Sequence, residues 1–217
     1  QLQEVSDVQN TYGTTPVDWL LNNADVNSRW CLIHATHLSL NESTAFAKSG
    51  AIAGLCPITE ANLGDGIFNG PDFLKANGLF GVGSDSNVNI SLTEELRTLE
   101  YSQRLRDMER NVMVNGSGST GETIYLGAAK GGAQALDRNS GQIAQGMLAD
   151  LVAIDSTDPS LCALREDQLL DGLVFAAKDS VVTDVWCAGR HQVQSGRHVA
   201  EETISTAYRA ALSELLA

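Results

Sequence analysis

Residues 51–58 read AIAGLCPI, an apolar run broken only by one glycine. A strand with one wet face would alternate polar and apolar positions. A run that does not alternate describes a strand covered on both faces, as in a parallel α/β sheet. Two neighbouring stretches have the same texture, WCLIHA at 30–35 and LFGVGSD at 79–85. The residues between them support a helix. Ser39 is followed three positions later by Glu42, the pattern of a capping box, and Gly50 stands where the helix should stop. Outward from 51–58, the sequence therefore predicts parallel strands joined by helices.

Downstream, SLTEELRTLEYSQRLRDMERNVM at 91–113 is expected to be one long helix. It opens with Ser91 and Glu94 and carries Leu92, Leu96, Leu99, Leu105, Met108 and Val112 at helical spacings. After a flexible NGSGS loop, Ser119 and Glu122 start a further helix, GETIYLGAAKGGAQALD at 121–137. Its many Gly and Ala residues call for close packing on a neighbour. From 141 the texture turns to β. GQIAQGMLADLVAID at 141–155 precedes a hairpin pattern at 179–199, with turn residues at Ala188-Gly189-Arg190 and Ser195-Gly196. The last stretch, 201–217, reads as a helix. The expected organisation is an α/β part at 1–140, a β part at 141–199 and a C-terminal helix at 200–217.

Composition narrows the function classes. The 217 residues are 43% hydrophobic, enough for a buried core, and the net charge is −13 with only 14 Lys and Arg. With no basic stripe, neither nucleic acid nor an anionic membrane is an expected partner. No apolar run is long enough to span a bilayer, and QLQEVSDVQN at the start lacks the features of a signal peptide. The four cysteines form no CxxC pair, and Cys31, Cys56 and Cys187 lie in strand-like runs where buried free thiols are expected. A reducing cytoplasm suits that pattern.

In parallel α/β folds the ligand site lies at the carboxyl ends of the strands. Of the four histidines, His34 falls near such an end, and Asp85 falls near another. Each has a plainer alternative: His34 as a core histidine bonded to backbone, Asp85 as a turn cap in a Gly/Ser/Asn-rich loop. His37 reads as a loop residue beside a helix start, and His191 and His198 as surface residues.

The order of motifs weighs on that choice. HATH, GLCPITEANLGDGIF, GVGSDSNV and GGAQALDRNSGQIAQGMLADLVAID together resemble the carboxyl-terminal half of the amidohydrolase superfamily, and within it the N-formimino-L-glutamate deiminases. The last motif is common to the wider superfamily, whereas CPITEANLGDG is the most specific. The resemblance implies the end of a (β/α)8 barrel of TIM type, strands six to eight, with part of a small β-sandwich. It implies one divalent metal, zinc as a rule, with Asp85 as metal ligand and catalytic residue and His34 as a catalytic residue that is not a ligand. Glu60 and Asn62, in the loop after the seventh strand, either line the site or serve a turn.

The family pattern also includes a His-x-His pair and a fifth-strand histidine, which this sequence lacks, and a His-x-x-Glu motif directly before a segment like QLQEV, the stretch with which this sequence opens. The resemblance thus implies partners: a small-molecule substrate, an amino-terminal half of the enzyme bearing the remaining ligands, and a second copy in a homodimer. The chain alone is expected to be inactive. The implied reaction is hydrolysis of N-formimino-L-glutamate to N-formyl-L-glutamate and ammonia, in histidine degradation. The alternatives are a deaminase of an aminopyrimidine or purine, and a catalytically silent α/β binding module.

Overall fold

The computed structural model describes residues 1–114, 116 and 118–217, so the NGSGS reading falls partly outside the described residues. Helices α1 (Leu2–Tyr12) and α2 (Pro16–Asn23) lead into strand β1 (Cys31–Ile33). Then come α3 (Leu40–Ser49), β2 (Ile52–Leu55), α4 (Pro57–Leu63), α5 (Gly70–Lys75) and β3 (Leu79–Val82). The three strands form a parallel sheet in the order β1-β2-β3, with Cys31 opposite Ile52 and Ile52 opposite Leu79. The central strand is covered on both faces, as its unbroken apolar run requires. β1 is less covered, and Ile33 at its end is 56% exposed.

Local chemistry sets the helix ends. Ser39 accepts the Glu42 N–H while Glu42 accepts the Ser39 N–H, a complete capping box, and Gly50 closes α3 with φ of 80°. Ser91 and Ser119 cap α6 (Leu92–Asp107) and α7 (Thr120–Ala135) by accepting the N–H of Glu94 and Glu122. Pro57 stands at the first position of α4, which ends β2 two residues earlier. Cys56 is thereby left at the junction of strand and helix.

The long helix expected at 91–113 stops early. Met108 takes a left-handed φ of 55° and ends α6, leaving Leu105 and Met108 82% and 90% exposed. The buried carboxylate of Glu100 bonds Arg104 Nε at 2.6 Å and also accepts the N–H of Val112 at 2.9 Å and of Met113 at 2.8 Å. These bonds turn the chain back and bring Met113 into the core, where its sulfur lies against Gly70.

The core gathers Phe46, Phe68, Phe73, Phe80, Leu55, Leu96, Leu99 and Ile124 between the sheet and its helices. Helix α7 lies on β3 so closely that a Cβ on Gly131 would sit 2.0 Å from the Phe80 carbonyl oxygen, and one on Gly127 2.9 Å from the Phe80 ring. The Gly and Ala content of α7 thus serves a backbone-to-backbone contact.

Beyond α7, β4 (Leu151–Ile154) precedes α8 (Gln168–Phe175), a short 3-10 turn at Asp179–Val181, β5 (Val182–Cys187), β6 (Arg190–Gln194), β7 (Arg197–His198) and α9 (Glu201–Leu215). The four strands make one antiparallel sheet in chain order, consistent with part of a small β domain beside the α/β part. Both turns use left-handed pairs, Ala188-Gly189 and Ser195-Gly196. Helix α8 lies between the β segments in sequence yet packs on α6 and α7, with Val174 in the main core. Arg97 of α6 donates to the carbonyls of Val174 and Ala177 at the end of α8. Among the described residues no helix is long and apolar enough to cross a membrane.

Candidate active site

Strands β1, β2 and β3 point the same way, and their carboxyl ends carry the polar residues. His34 follows β1 directly. Its N–H donates to the Gly54 carbonyl at 2.8 Å, while His34 and Ala35 both adopt positive φ, 65° and 49°. Two consecutive left-handed residues with side chains are costly, of order 1–3 kcal/mol each, and such turns concentrate at functional sites. This turn swings His34 over the end of β2. Asp85 lies three residues past β3, also left-handed with φ of 52°, and is exposed. No hydrogen bond or ion pair engages its carboxylate among the described residues.

His34 and Asp85 close strands that are not neighbours, since β2 lies between theirs. What joins them is the end of that middle strand. Cys56 is buried there, with its sulfur, a His34 ring nitrogen and a Glu60 oxygen all within 4.8 Å of one another. The charge of Asp85 is felt at the same thiol. Burial first, then the negative charges of Glu60, Asp85 and Glu95, push the Cys56 pKa up to about 12. A thiol so disfavoured as thiolate is a poor nucleophile.

Glu60 and Asn62 stand on helix α4 rather than in a loop, and the two differ. Asn62 is exposed. Glu60 is 4% exposed, and its Oε1 accepts the Cys56 N–H at 2.9 Å and shares a hydrogen bond with His34 Nδ1 at 3.2 Å. Burial raises the Glu60 pKa, against these two bonds. Behind it lies Glu95 of α6, 1% exposed, whose Oε2 accepts the Ile58 N–H at 2.9 Å while Oε1 is buried without a partner. Burial, with a further contribution from Glu60, pushes the Glu95 pKa up to about 7.

Of the other sequence candidates, His37 lies near the start of α3 with its ring against Gly66. His198 is exposed, and His191 is half-buried, stacked on Trp186 and bonded to Asp184 at 2.8 Å. Cys187 is exposed at the end of β5, so the buried thiol expected there is absent.

As a donor set for a metal, these residues fit one corner of a site. Asp85 offers an unengaged carboxylate at the strand mouth. His34 has one nitrogen committed to Glu60, and Cys56 is held as a thiol. A parallel sheet flanked by helices, with a carboxylate and an imidazole at its strand ends, is consistent with part of a (β/α)8 hydrolase barrel. The family model described as the amidohydrolase family matches residues 1–191, and the chain belongs to that family.

The chain is 49% identical over all 217 residues to a formimidoylglutamate deiminase of Pseudomonas aeruginosa, of which it covers 48%. Among solved structures, an amidohydrolase from Brucella melitensis superposes with a TM-score of 0.93 at 48% identity, covering 100% of this chain and 48% of that one. An adenosine deaminase from Xanthomonas campestris with bound zinc gives 0.82 at 27% identity, covering 97% of this chain and 47% of that one. The chain thus spans about half the length of the relatives it matches.

Proposed function

We propose that this chain supplies strands six to eight of the barrel of a formimidoylglutamate deiminase, acting on N-formimino-L-glutamate with His34 and Asp85 as catalytic residues. The observation that carries the substrate is the 49% identity over the whole chain to the Pseudomonas aeruginosa deiminase. The strand-end placement of His34 and Asp85 supports the chemistry.

Asp85 would hold a divalent metal, zinc in this reading, together with histidines carried by an amino-terminal half. When bound, such an ion acidifies water and polarises the C=N carbon. Asp85 has two carboxylate oxygens, so one can face the ion while the other takes the proton of the attacking water. It then passes that proton toward the leaving nitrogen. His34 bonds to the same water and sets its line of approach to the formimino carbon. Water adds, the C–N bond to the amino group breaks, and N-formyl-L-glutamate and ammonia leave.

The edge of β1 supports the companion half. Ile33 and Trp30 are exposed, and an open cleft of about 340 Å³ lined by Val17, Leu20, Trp30 and Leu32 runs between β1 and the first two helices. A fifth strand pairing along β1 would close both. A cytoplasmic homodimer belongs to the same reading.

A second reading, a purine deaminase, rests on the zinc-bound adenosine deaminase relative. The test is ammonia release by the intact enzyme from N-formimino-L-glutamate and from adenosine, with N-formylglutamate identified by mass spectrometry. Turnover of the formimino compound alone is expected; turnover of adenosine alone would transfer the assignment.

A further inference from the structure

Neither catalytic residue explains why Glu60 is buried at the end of β2. A carboxylate removed from water beside Cys56 and Glu95, with the charge of Asp65 acting on it, is costly. It is held there by two hydrogen bonds to a single oxygen, from the Cys56 N–H at 2.9 Å and with His34 Nδ1 at 3.2 Å. As a carboxylate Glu60 has no proton to give, so the hydrogen shared with the imidazole lies on Nδ1. The neutral ring then has its lone pair on Nε2.

We propose that Glu60 is the positioning residue for His34, fixing its Nδ1–H tautomer and turning Nε2 as a hydrogen-bond acceptor toward the reacting water. The proposal rests on the reading of His34 as a catalytic residue and adds a residue that acts through it. Three features of the structure make the arrangement rigid. Pro57 starts α4 at once after β2, which places Glu60 one helical turn beyond Cys56 and points its carboxylate back at the Cys56 N–H. The left-handed pair His34-Ala35 brings the ring over the end of β2 from the other side. Thr59, the neighbour of Glu60, donates its hydroxyl to the Ser84 carbonyl at 2.9 Å, which ties the same turn of α4 to the loop that carries Asp85. One helical turn thus registers both catalytic side chains.

An imidazole fixed in this way differs from a free one in a measurable respect. Free imidazole favours the Nε2–H tautomer, which would present a donor to the water where an acceptor is needed. Loss of an orienting partner beyond a reacting or ligating histidine costs roughly 10–100-fold in activity.

The test uses the intact, metal-loaded enzyme with Glu60→Ala, Glu60→Gln, His34→Asn and the double change His34→Asn/Glu60→Ala. Whichever substrate the enzyme turns over serves for kinetics, so a wrong substrate assignment shows as an inactive wild type on the formimino compound and leaves this test standing. Long-range proton–nitrogen NMR of the resting enzyme reads the tautomer, the His34 signals being assigned by their loss in His34→Asn. The wild type is expected to show Nδ1–H. Glu60→Ala should shift the ring toward Nε2–H and lower kcat by about 10–100-fold with KM within about threefold. Glu60→Gln keeps an acceptor oxygen, oriented by the Cys56 N–H, and should hold the tautomer and most of kcat.

The double change should lose no more than His34→Asn alone. Should Glu60→Ala fail to fold, Glu60→Met, of similar length and without a carboxylate, takes its place. An Nε2–H tautomer in the wild type, an unchanged tautomer in Glu60→Ala, or additive losses in the double change would each overturn the proposal.

Discussion

Three glycines of one helix make a graded test of the contact between α7 and β3. A Cβ on Gly131 would stand 2.0 Å from the Phe80 carbonyl oxygen, where a close C···O contact needs about 3.3 Å. Relief requires more than about 1 Å of separation between two backbones, neither of which has a rotamer to change. Overpacking of this kind costs about 1–3 kcal/mol or more, against a gain of about 1 kcal/mol from alanine's helix propensity. Gly131→Ala is therefore expected to destabilise by about 2 kcal/mol, or about 4–8 °C for a unit of this size. At Gly127 the neighbour is the edge of the Phe80 ring at 2.9 Å, which can tilt, so the two effects should cancel to within about 1 kcal/mol. Nothing lies within 4 Å of a Cβ on Gly132, and there alanine should stabilise by about 0.5–1 kcal/mol. Thermal unfolding of the protein bearing each change singly measures the order. Gly131→Ala as stable as Gly132→Ala would refute the backbone-contact account of α7.

Asp85→Asn keeps a side chain tolerant of the left-handed backbone but removes the charge and the proton acceptor; steady-state kinetics of the intact enzyme should show a loss of about 100-fold or more with unchanged unfolding temperature. Glu95 has its pKa raised in the folded state to about 7, so the protonated form favours folding. That contribution is whole below the unfolded carboxyl value and is lost as pH rises through 7. Unfolding temperatures taken from pH 5 to 8 should fall more steeply for the wild type than for Glu95→Gln, and parallel curves would count against it. Glu100→Ala leaves the Val112 and Met113 N–H groups and Arg104 without their acceptor and should destabilise by about 3–5 kcal/mol in chemical denaturation, the range for breaking a buried ion pair. A cost under about 1 kcal/mol there would mean that other contacts hold the turn after α6.

The parts of this fold legible in the sequence are those decided by neighbours in the chain. The three strands could be read from runs with no polar break, and the starts of α3, α6 and α7 from Ser with Glu three residues on. The glycines of α7 announced a close neighbour, though not that it would be β3. Where distant residues decide, the reading failed. Leu105 and Met108 continue an apolar stripe and look like helix, but the chain turns because Glu100 reaches forward 12 and 13 residues for two N–H groups. The site divides in the same way. His34 and Asp85 were visible as polar residues closing apolar runs, yet their separation by β2 is a property of the sheet. Glu60 was noted with the wrong local structure, because the helix starts at Pro57 with no loop before it. Cys56 and Glu95 were missed. The one available signal for Glu95 was its place beside Leu96 and four residues before Leu99, a charge on the face the helix buries.

The contact of α7 with β3 also has a mechanical side. On its other flank α7 meets α8 in the same manner: the Gly121 N–H donates to Asp171 at 2.7 Å, and a Cβ on Gly121 would come within 2.6 Å of the Asp171 backbone. Helix α8 in turn shares a small apolar cluster with Val181 and Ile154, beside and within the antiparallel sheet. From that sheet to β3 the load passes through two interfaces where main chain bears on main chain. Side chains in an ordinary interface act as springs, taking up a displacement by changing rotamer; at Gly131 and Gly121 no side chain stands between the two main chains. Those two contacts tie α8 to β3 main chain to main chain, and Asp85 stands three residues beyond the end of that strand.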